Sequence, residues 1–377
     1  MNKRRIFILS AAVLILAFGG LFFGLKQAAS PEKVVDTFKE AVQKDDPSML
    51  QELIVPDDKQ AELSRSSIQA MISYLKENAS SYEAIVEGLE QQVEENDYAA
   101  SAQQISLTEE GKKWGVFPDY KLKAKTAVIK LTGQNETDTI SLTAGESKRP
   151  IKQLENEQYG PVLPGTYTLN VTVNNELGTF KAEEKKEVWG SPEVSVVINS
   201  SALASADKGV QQAVITALDT LNRDLAVYQT SGYDKSKLTN VTNEIREETA
   251  FLQESFTLLQ DYLDEIHVQY TGAVINLDDL GVHYFDGKWS ADATALVAFD
   301  NKLKYRDLQG FEDHSIRSLV TYSLFYDKEE KKWLIDGMQE REPVGSEETY
   351  WENKKELKVE NPPVLKWQRE GAEGVKL

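Results

Sequence analysis

The sequence predicts a multidomain, single-pass protein: one N-terminal transmembrane helix, then a small helical domain, an all-β, sandwich-like domain and an α+β domain. Three observations carry this. A charge-free apolar run opens the chain, the hydrophobic spacing changes period along the rest, and 377 residues exceed what one domain commonly holds, roughly 100 to 200 residues. With 41% hydrophobic and 27% charged residues the composition is that of ordinary folded protein, so each part is expected to bury a core.

Lys3, Arg4 and Arg5 precede IFILSAAVLILAFGGLFFGL, Ile6 to Leu25, twenty uncharged residues ended by Lys26. At about 1.5 Å per residue this run spans about 30 Å, the thickness of a bilayer's hydrocarbon core. The competing reading is a cleaved signal peptide, whose apolar region commonly runs about 7 to 15 residues before a small-x-small site. Cleavage after Ala28 or Ala29 would put Lys26 or Gln27 two residues before the cut residue, which disfavours it. The basic flank places residues 1–5 in the cytoplasm, residues 6–25 across the membrane and the remainder outside the cell. That exported part has 39 basic against 61 acidic residues, a net charge of −22, which opposes binding to nucleic acid or to anionic lipid. The charge is expected to serve solubility. The absence of cysteine removes disulfides, zinc-thiolate sites, iron–sulfur clusters, a cysteine nucleophile and a lipidated cysteine together.

From Pro31 the apolar positions Val34, Val35, Phe38, Ala41 and Val42 form one stripe of an amphipathic helix with Pro31 in its first turn. Two more stripes, Ile68, Met71, Ile72 and Leu75, then Tyr82, Ile85, Val86 and Leu89, complete a helical domain over 31–100. Near Ser101 the β-branched and aromatic content rises and Gly, Pro and Asn punctuate it, which predicts a β-rich domain over 101–199. SSALASADKG from Ser200 reads as a linker. Two helical patterns follow, Val210 to Tyr228 and Ile245 to Leu263, and then strand signals at HVQYTGAVINL, VHYFDGKWSADATALVAFD and SLVTYSLFYDKEEKKWLIDGMQE. Helices followed by antiparallel strands predict an α+β roll over 203–342. Residues 343–377 are charged and carry Pro343, Pro362 and Pro363, which predicts an extended C-terminal tail with Tyr350, Trp351 and Trp367 free to dock.

The chemistry-bearing motifs are missing. His267, His283 and His314 are the only histidines and show no H-E-x-x-H spacing; no G-x-S-x-G elbow, phosphate-binding glycine loop or calcium loop occurs. No catalytic, cofactor-binding or metal-ligating residue is assigned, and no cofactor is expected. Asp292 or Asp300, pointing into a cavity of the last domain, would be the acid/base group if the chain were an enzyme. The aromatic strands there, with Tyr284, Phe285, Trp289, Phe299, Tyr322, Phe325 and Trp333, suggest a groove for a glycan or peptide, and Tyr284, Trp289, Phe299, Tyr322 and Trp333 are the narrower set expected to line it; packing between sheet and helix is the competing role.

Four strings in order, PEKVVDTFKEAVQKDD (31–46), EGKKWGVFPDYKLK (110–123), LPGTYTLNV (163–171) and KKWLIDG (331–337), resemble the TcaA/YvbJ family of Gram-positive membrane-anchored proteins. The resemblance implies an NTF2-like C-terminal domain and an envelope role tied to the response to glycopeptide antibiotics such as teicoplanin. It carries no catalytic residues to transfer. Family members often begin with a cytoplasmic cysteine-based zinc ribbon, which a chain without cysteine cannot form, so action by the exported domains is expected. The leading expectation is therefore a non-enzymatic surface protein that senses or scaffolds by binding a cell-wall component or an envelope protein. The alternatives are a carboxylate-dependent enzyme and a spacer that holds a partner above the membrane.

Overall fold

The computed structural model describes residues 26–27, 29–99 and 101–371. The expected cytoplasmic segment 1–5 and span 6–25 lie outside them; among the described residues no helix is long and apolar enough to cross a membrane. The chain divides into two units. The first comprises residues up to 134, 139–173 and 181–198; the second comprises 135–138, 174–180 and 199 onward.

In the first unit α1 (Pro31–Lys44) starts at Ser30, whose hydroxyl accepts the Lys33 N–H, and stops at Asp45, which turns left-handed at φ 59°. Its predicted stripe is the buried face. After a 3-10 turn, the short strand β1 (Ile54–Pro56) precedes α2 (Arg65–Glu77), opened by a reciprocal Ser64/Ser67 capping box, and α3 (Ala79–Glu95). Strands β2 (Ile105–Lys113) and β3 (Phe117–Ala124) complete a sheet of order β1-β3-β2, with β1 parallel to β3. Ile105, Leu107 and Leu122 are wholly buried in the same cluster as Phe38, Ile68, Leu75 and Leu89. The expected boundary at residue 100 is therefore corrected: the three helices lack the apolar area to close a core alone, and β2 and β3 supply it. The first domain is α+β and runs to about the end of β3.

The sandwich that follows is smaller than expected. It contains β4 (Ala127–Thr132), β5 (Thr139–Ala144), β6 (Gln158–Val162), β7 (Gly165–Asn175), β8 (Gly178–Val188) and β9 (Glu193–Val197). They form two three-stranded sheets, β6-β4-β9 and β5-β7-β8. Alternation along β7 buries Tyr167, Leu169, Val171 and Val173.

In the second unit the expected linker is instead a helix, α4 (Ser200–Ala206), capped by the Asn199 side chain on the Ala202 N–H. Small residues there allow packing rather than slack. The long helix α5 (Lys208–Thr230) follows, capped by Asp207 on two amides; α6 (Asn243–Glu248) and α7 (Ala250–Leu259) divide the second helical pattern. The sheet contains β10 (Leu263–Phe285), β11 (Lys288–Tyr305), a two-residue β12 (Glu312–Asp313) beside β11, β13 (Ile316–Asp327) and β14 (Lys332–Arg341). Its order is β14-β13-β11-β10.

The tail is not free. Strands β15 (Lys354–Lys358) and β16 (Leu365–Gln368) both pair antiparallel with the outer edge of β10. Asp278 accepts from the Glu352 and Asn353 N–H groups and from Asn353 Nδ2, Arg369 pairs with Asp264 at 2.7 Å, and Trp367 meets the Phe256 ring edge-on at 5.0 Å. An exposed β10 edge would be a template for association with other chains, and the charged tail covers it.

Candidate functional site

Strand alternation decides which aromatic side chains of the second unit a ligand can reach, because successive residues face opposite sides of the sheet. The turn between β10 and β11 is Asp286-Gly287, both at positive φ (50° and 74°), so it is a two-residue hairpin turn with Phe285 opposite Lys288 and Tyr284 opposite Trp289. Trp289, on the inner side, is 3% exposed. Its ring lies 5.0 Å from Tyr284 and its Nε1 donates to Glu176 at 3.1 Å.

Four of the five residues expected to line a groove are interior. Trp289, Phe299, Tyr322 and Trp333 are buried and Tyr284 is half-buried. Phe299 packs on Tyr270 at 5.3 Å. Tyr322 donates to Asn222 Oδ1 on α5 at 3.1 Å, and burial holds its hydroxyl well above the usual pKa range. Trp333 packs on Tyr326 and also borders a cleft of about 470 Å³ with the start of α5. The groove expectation is thus corrected: these rings fill the space between sheet and helix, where burying apolar area is worth most.

The opposite side carries a cleft of about 610 Å³. Its floor holds Phe285, 81% exposed, and Phe325, with Lys288 Nζ 5.7 Å from the Phe325 ring centre. Its wall is the segment before α6, zipped to β14: Thr242 N–H donates to Ile335 O at 2.9 Å, Ile335 N–H donates to Asn240 O at 3.0 Å, and Thr242 Oγ1 donates to Asp336 at 3.1 Å. Arg246 is committed to that wall, donating to the Leu238 carbonyl and to Asn243 Oδ1. Lys332, paired with Glu330 at 2.5 Å, Asp327, which accepts the Glu329 and Glu330 N–H groups, and Glu244 bring charge of both signs to the rim. Phe285 and Phe325, grouped with the other strand aromatics in the sequence but outside the narrower set of five, are the rings that face this cleft; position relative to the Asp-Gly turn separates Phe285 from the buried set.

Neither candidate acid occupies a cavity interior. Asp292 and Asp300 are exposed on β11. Asp292 accepts from Ser323 Oγ at 3.0 Å and lies 3.8 Å from His283 Nε2. In that row the carboxylate is central, so the imidazole is not placed on the hydroxyl and cannot act as its base. His267 bonds Glu265 at 3.0 Å; burial opposes ionisation of Glu265, but its bonds to His267 and Lys304 prevail and hold the carboxyl below its usual range. His314 pairs with the exposed Glu312. Among the described residues no three His, Asp or Glu side chains converge to hold a metal ion.

Comparison with known proteins follows this division of the chain. Residues 31–124 match the TcaA protein second domain, which includes β2 and β3, and residues 214–339 match the YvbJ NTF2-like domain. The chain is 21% identical over 185 residues to the uncharacterized membrane protein YvbJ of Bacillus subtilis (strain 168), a match covering 48% of this chain and 30% of that protein. A solved structure, the intermembrane space region of chloroplast protein ARC6, aligns at 10% identity and a TM-score of 0.26, covering 35% of this chain and 96% of that one. With a match to the TcaA second domain ahead of a match to the YvbJ NTF2-like domain on one chain, the comparisons support a likeness to the TcaA/YvbJ family.

Proposed function

We propose that this is a non-enzymatic surface protein of the cell envelope, anchored through residues 6–25 with its N-terminus in the cytoplasm, whose NTF2-like domain binds a cell-wall glycan in the cleft floored by Phe285 and Phe325. The cleft is the observation that carries the reading: two accessible rings offer a flat apolar platform, and Lys288, Lys332, Asp327 and Glu244 surround it with donors and acceptors. A sugar ring presents a matching apolar face with hydroxyls at its edge. The apolar run Ile6–Leu25 and the likeness to a relative named as a membrane protein support the location. The family's association with glycopeptide antibiotics, which target the cell wall, agrees with such a ligand.

The test is co-sedimentation of the detergent-solubilised full chain with purified peptidoglycan, compared with Phe285→Ala/Phe325→Ala. Retention that the double variant loses supports the proposal. Equal retention of both, or of neither, defeats it. A deletion strain is expected to change its sensitivity to teicoplanin, and the double variant to fail to restore it.

A further inference from the structure

The stretch EGKKWGVFPDYKLK has no part in the cleft, yet it makes the β2–β3 hairpin, whose tip has an unusual surface. Trp114 is 53% exposed and Val116 63% exposed, while the next residue, Phe117, is buried. Trp114 at φ 52° and Gly115 at φ 74° are both left-handed, a backbone that turns the large ring off the end of the strands instead of folding it inward. Trp114 meets Phe117 edge-on at 6.3 Å and Lys113 Nζ lies 5.2 Å from its ring centre. From Gly111 to Phe117 the tip carries Lys112 and Lys113 and no acid, in a chain whose net charge is −19. An exposed Trp and Val flanked by lysines is the composition of a membrane-interface anchor: the indole sits at headgroup level and the lysines reach phosphates.

Position completes the case. Lys113 lines one cleft with Ala29 and Lys33, at the start of α1. Ala29 is four residues beyond Leu25, the end of the apolar run, and four residues reach at most about 14 Å. The tip is therefore at the end of the domain that meets the bilayer. We propose that the β2–β3 tip docks on the outer lipid surface, with Trp114 and Val116 entering the interfacial layer and Lys112 and Lys113 on lipid phosphates. This rests on the anchor reading above and adds a second contact that fixes how the first domain stands on the membrane. The exported net charge opposes anionic lipid as a whole, but screening confines that repulsion to about 10 Å; within that reach Glu110 and Asp119 offset Lys112 and Lys113, so the contact rests first on Trp114 and Val116, with the two lysines meeting individual phosphates.

The absence of cysteine makes the test direct, since each introduced cysteine is unique. The full chain is reconstituted in nanodiscs of phosphatidylcholine and phosphatidylglycerol with a nitroxide on Val116→Cys, on Val13→Cys within the apolar run, or on Val197→Cys, a site 70% exposed elsewhere in the first unit. Relaxation by oxygen is compared with relaxation by a water-soluble nickel chelate. The expected result is oxygen dominance at 13 and 116 and nickel dominance at 197, with Lys112→Glu/Lys113→Glu returning the label at 116 toward nickel. A label at 116 as aqueous as that at 197, with 13 still in lipid, overturns the docking and leaves the anchor standing. An aqueous label at 13 overturns the anchor, and the docking with it.

Discussion

Gly165, in the LPGTY stretch at the start of β7, offers a direct test of how the sandwich is joined to the helical part of the first unit. A Cβ there would lie 2.4 Å from the carbonyl carbon of Ala70 and 2.5 Å from the Met71 nitrogen, both backbone atoms of α2. Gly165 is not in the left-handed region, so Gly165→Ala would be conformationally acceptable. By restricting the unfolded chain it would by itself stabilise by about 0.4 to 1 kcal/mol. The clash opposes this. Ordinary contact begins near 3.4 Å, so strand and helix must separate by about 1 Å. That separation opens a core in which Ile68, Met71 and Leu163 are fully buried. Overpacking of this kind costs about 1 to 3 kcal/mol, and rigid backbone on both sides puts this case at the upper end. The net loss is about 2 kcal/mol, which for a unit of this size lowers the melting temperature by about 4 to 8 °C. Calorimetry of the full chain in micelles reads the shift, and near-ultraviolet circular dichroism assigns it to the first unit through the Tyr74–Trp189 stack, 4.2 Å between ring centres. Gly337→Ala in β14 is the control, because its Cβ would meet only Ser323 Cβ at 3.7 Å. A Gly165→Ala protein that melts at the wild-type temperature or above would refute the close backbone crossing.

Tyr322→Phe keeps the ring and strands the buried Asn222 Oδ1; the expected loss is about 1.5 kcal/mol, seen as a lower urea midpoint for the second unit without change in slope. Asp278→Ala removes three acceptor contacts to Glu352 and Asn353, so hydrogen exchange at Gly272–Asn276, opposite β15, is expected to accelerate while that of β13 does not. Glu347 accepts from the two terminal guanidinium nitrogens of Arg341 and from the Val344 N–H, which holds its pKa down at about 2. Because the folded value is depressed, the stability it lends the 341–349 turn is present above the unfolded pKa of about 4.3 and is lost as pH falls toward 2. NMR titration checks this, and Arg341→Ala is expected to return Glu347 toward the ordinary carboxylate range.

How much of this was legible depends on where each segment's stabilisation comes from. The three stripes of the first domain could be read because α1 to α3 are held by apolar faces, which leave a period in the sequence. The boundary at 100 could not be read, because β1 has only three residues and makes its pairs with β3, far along the chain. Its effect is to draw β2 and β3 into the helical core. The tail was misread for a related reason. Lys354–Lys358 has a single apolar residue, Leu357, and so no alternation to read; its hold on β10 comes from backbone hydrogen bonds and a few polar anchors such as Asp278, for which composition has no signature.

The candidate site failed in a more instructive way, since the information that corrects it was present. Asp286-Gly287 between two alternating runs specifies a two-residue turn, and such a turn fixes the register of the whole hairpin. Counting outward pairs Phe285 with Lys288 and Tyr284 with Trp289. Lys288 must face solvent, so Phe285 shares its side, and Trp289 with Tyr284 takes the other. Ser290 continues the solvent side; its pairing with Phe325, which places the second ring of the cleft floor, belongs to the β11–β13 register and is seen only in the structure. Selecting aromatics by size alone collects residues from both sides of the sheet and favours the buried ones, because the strands' largest rings are where the core needs area. Parity from a turn of known length separates the two sets, and the rings a ligand can touch are those in phase with the lysine.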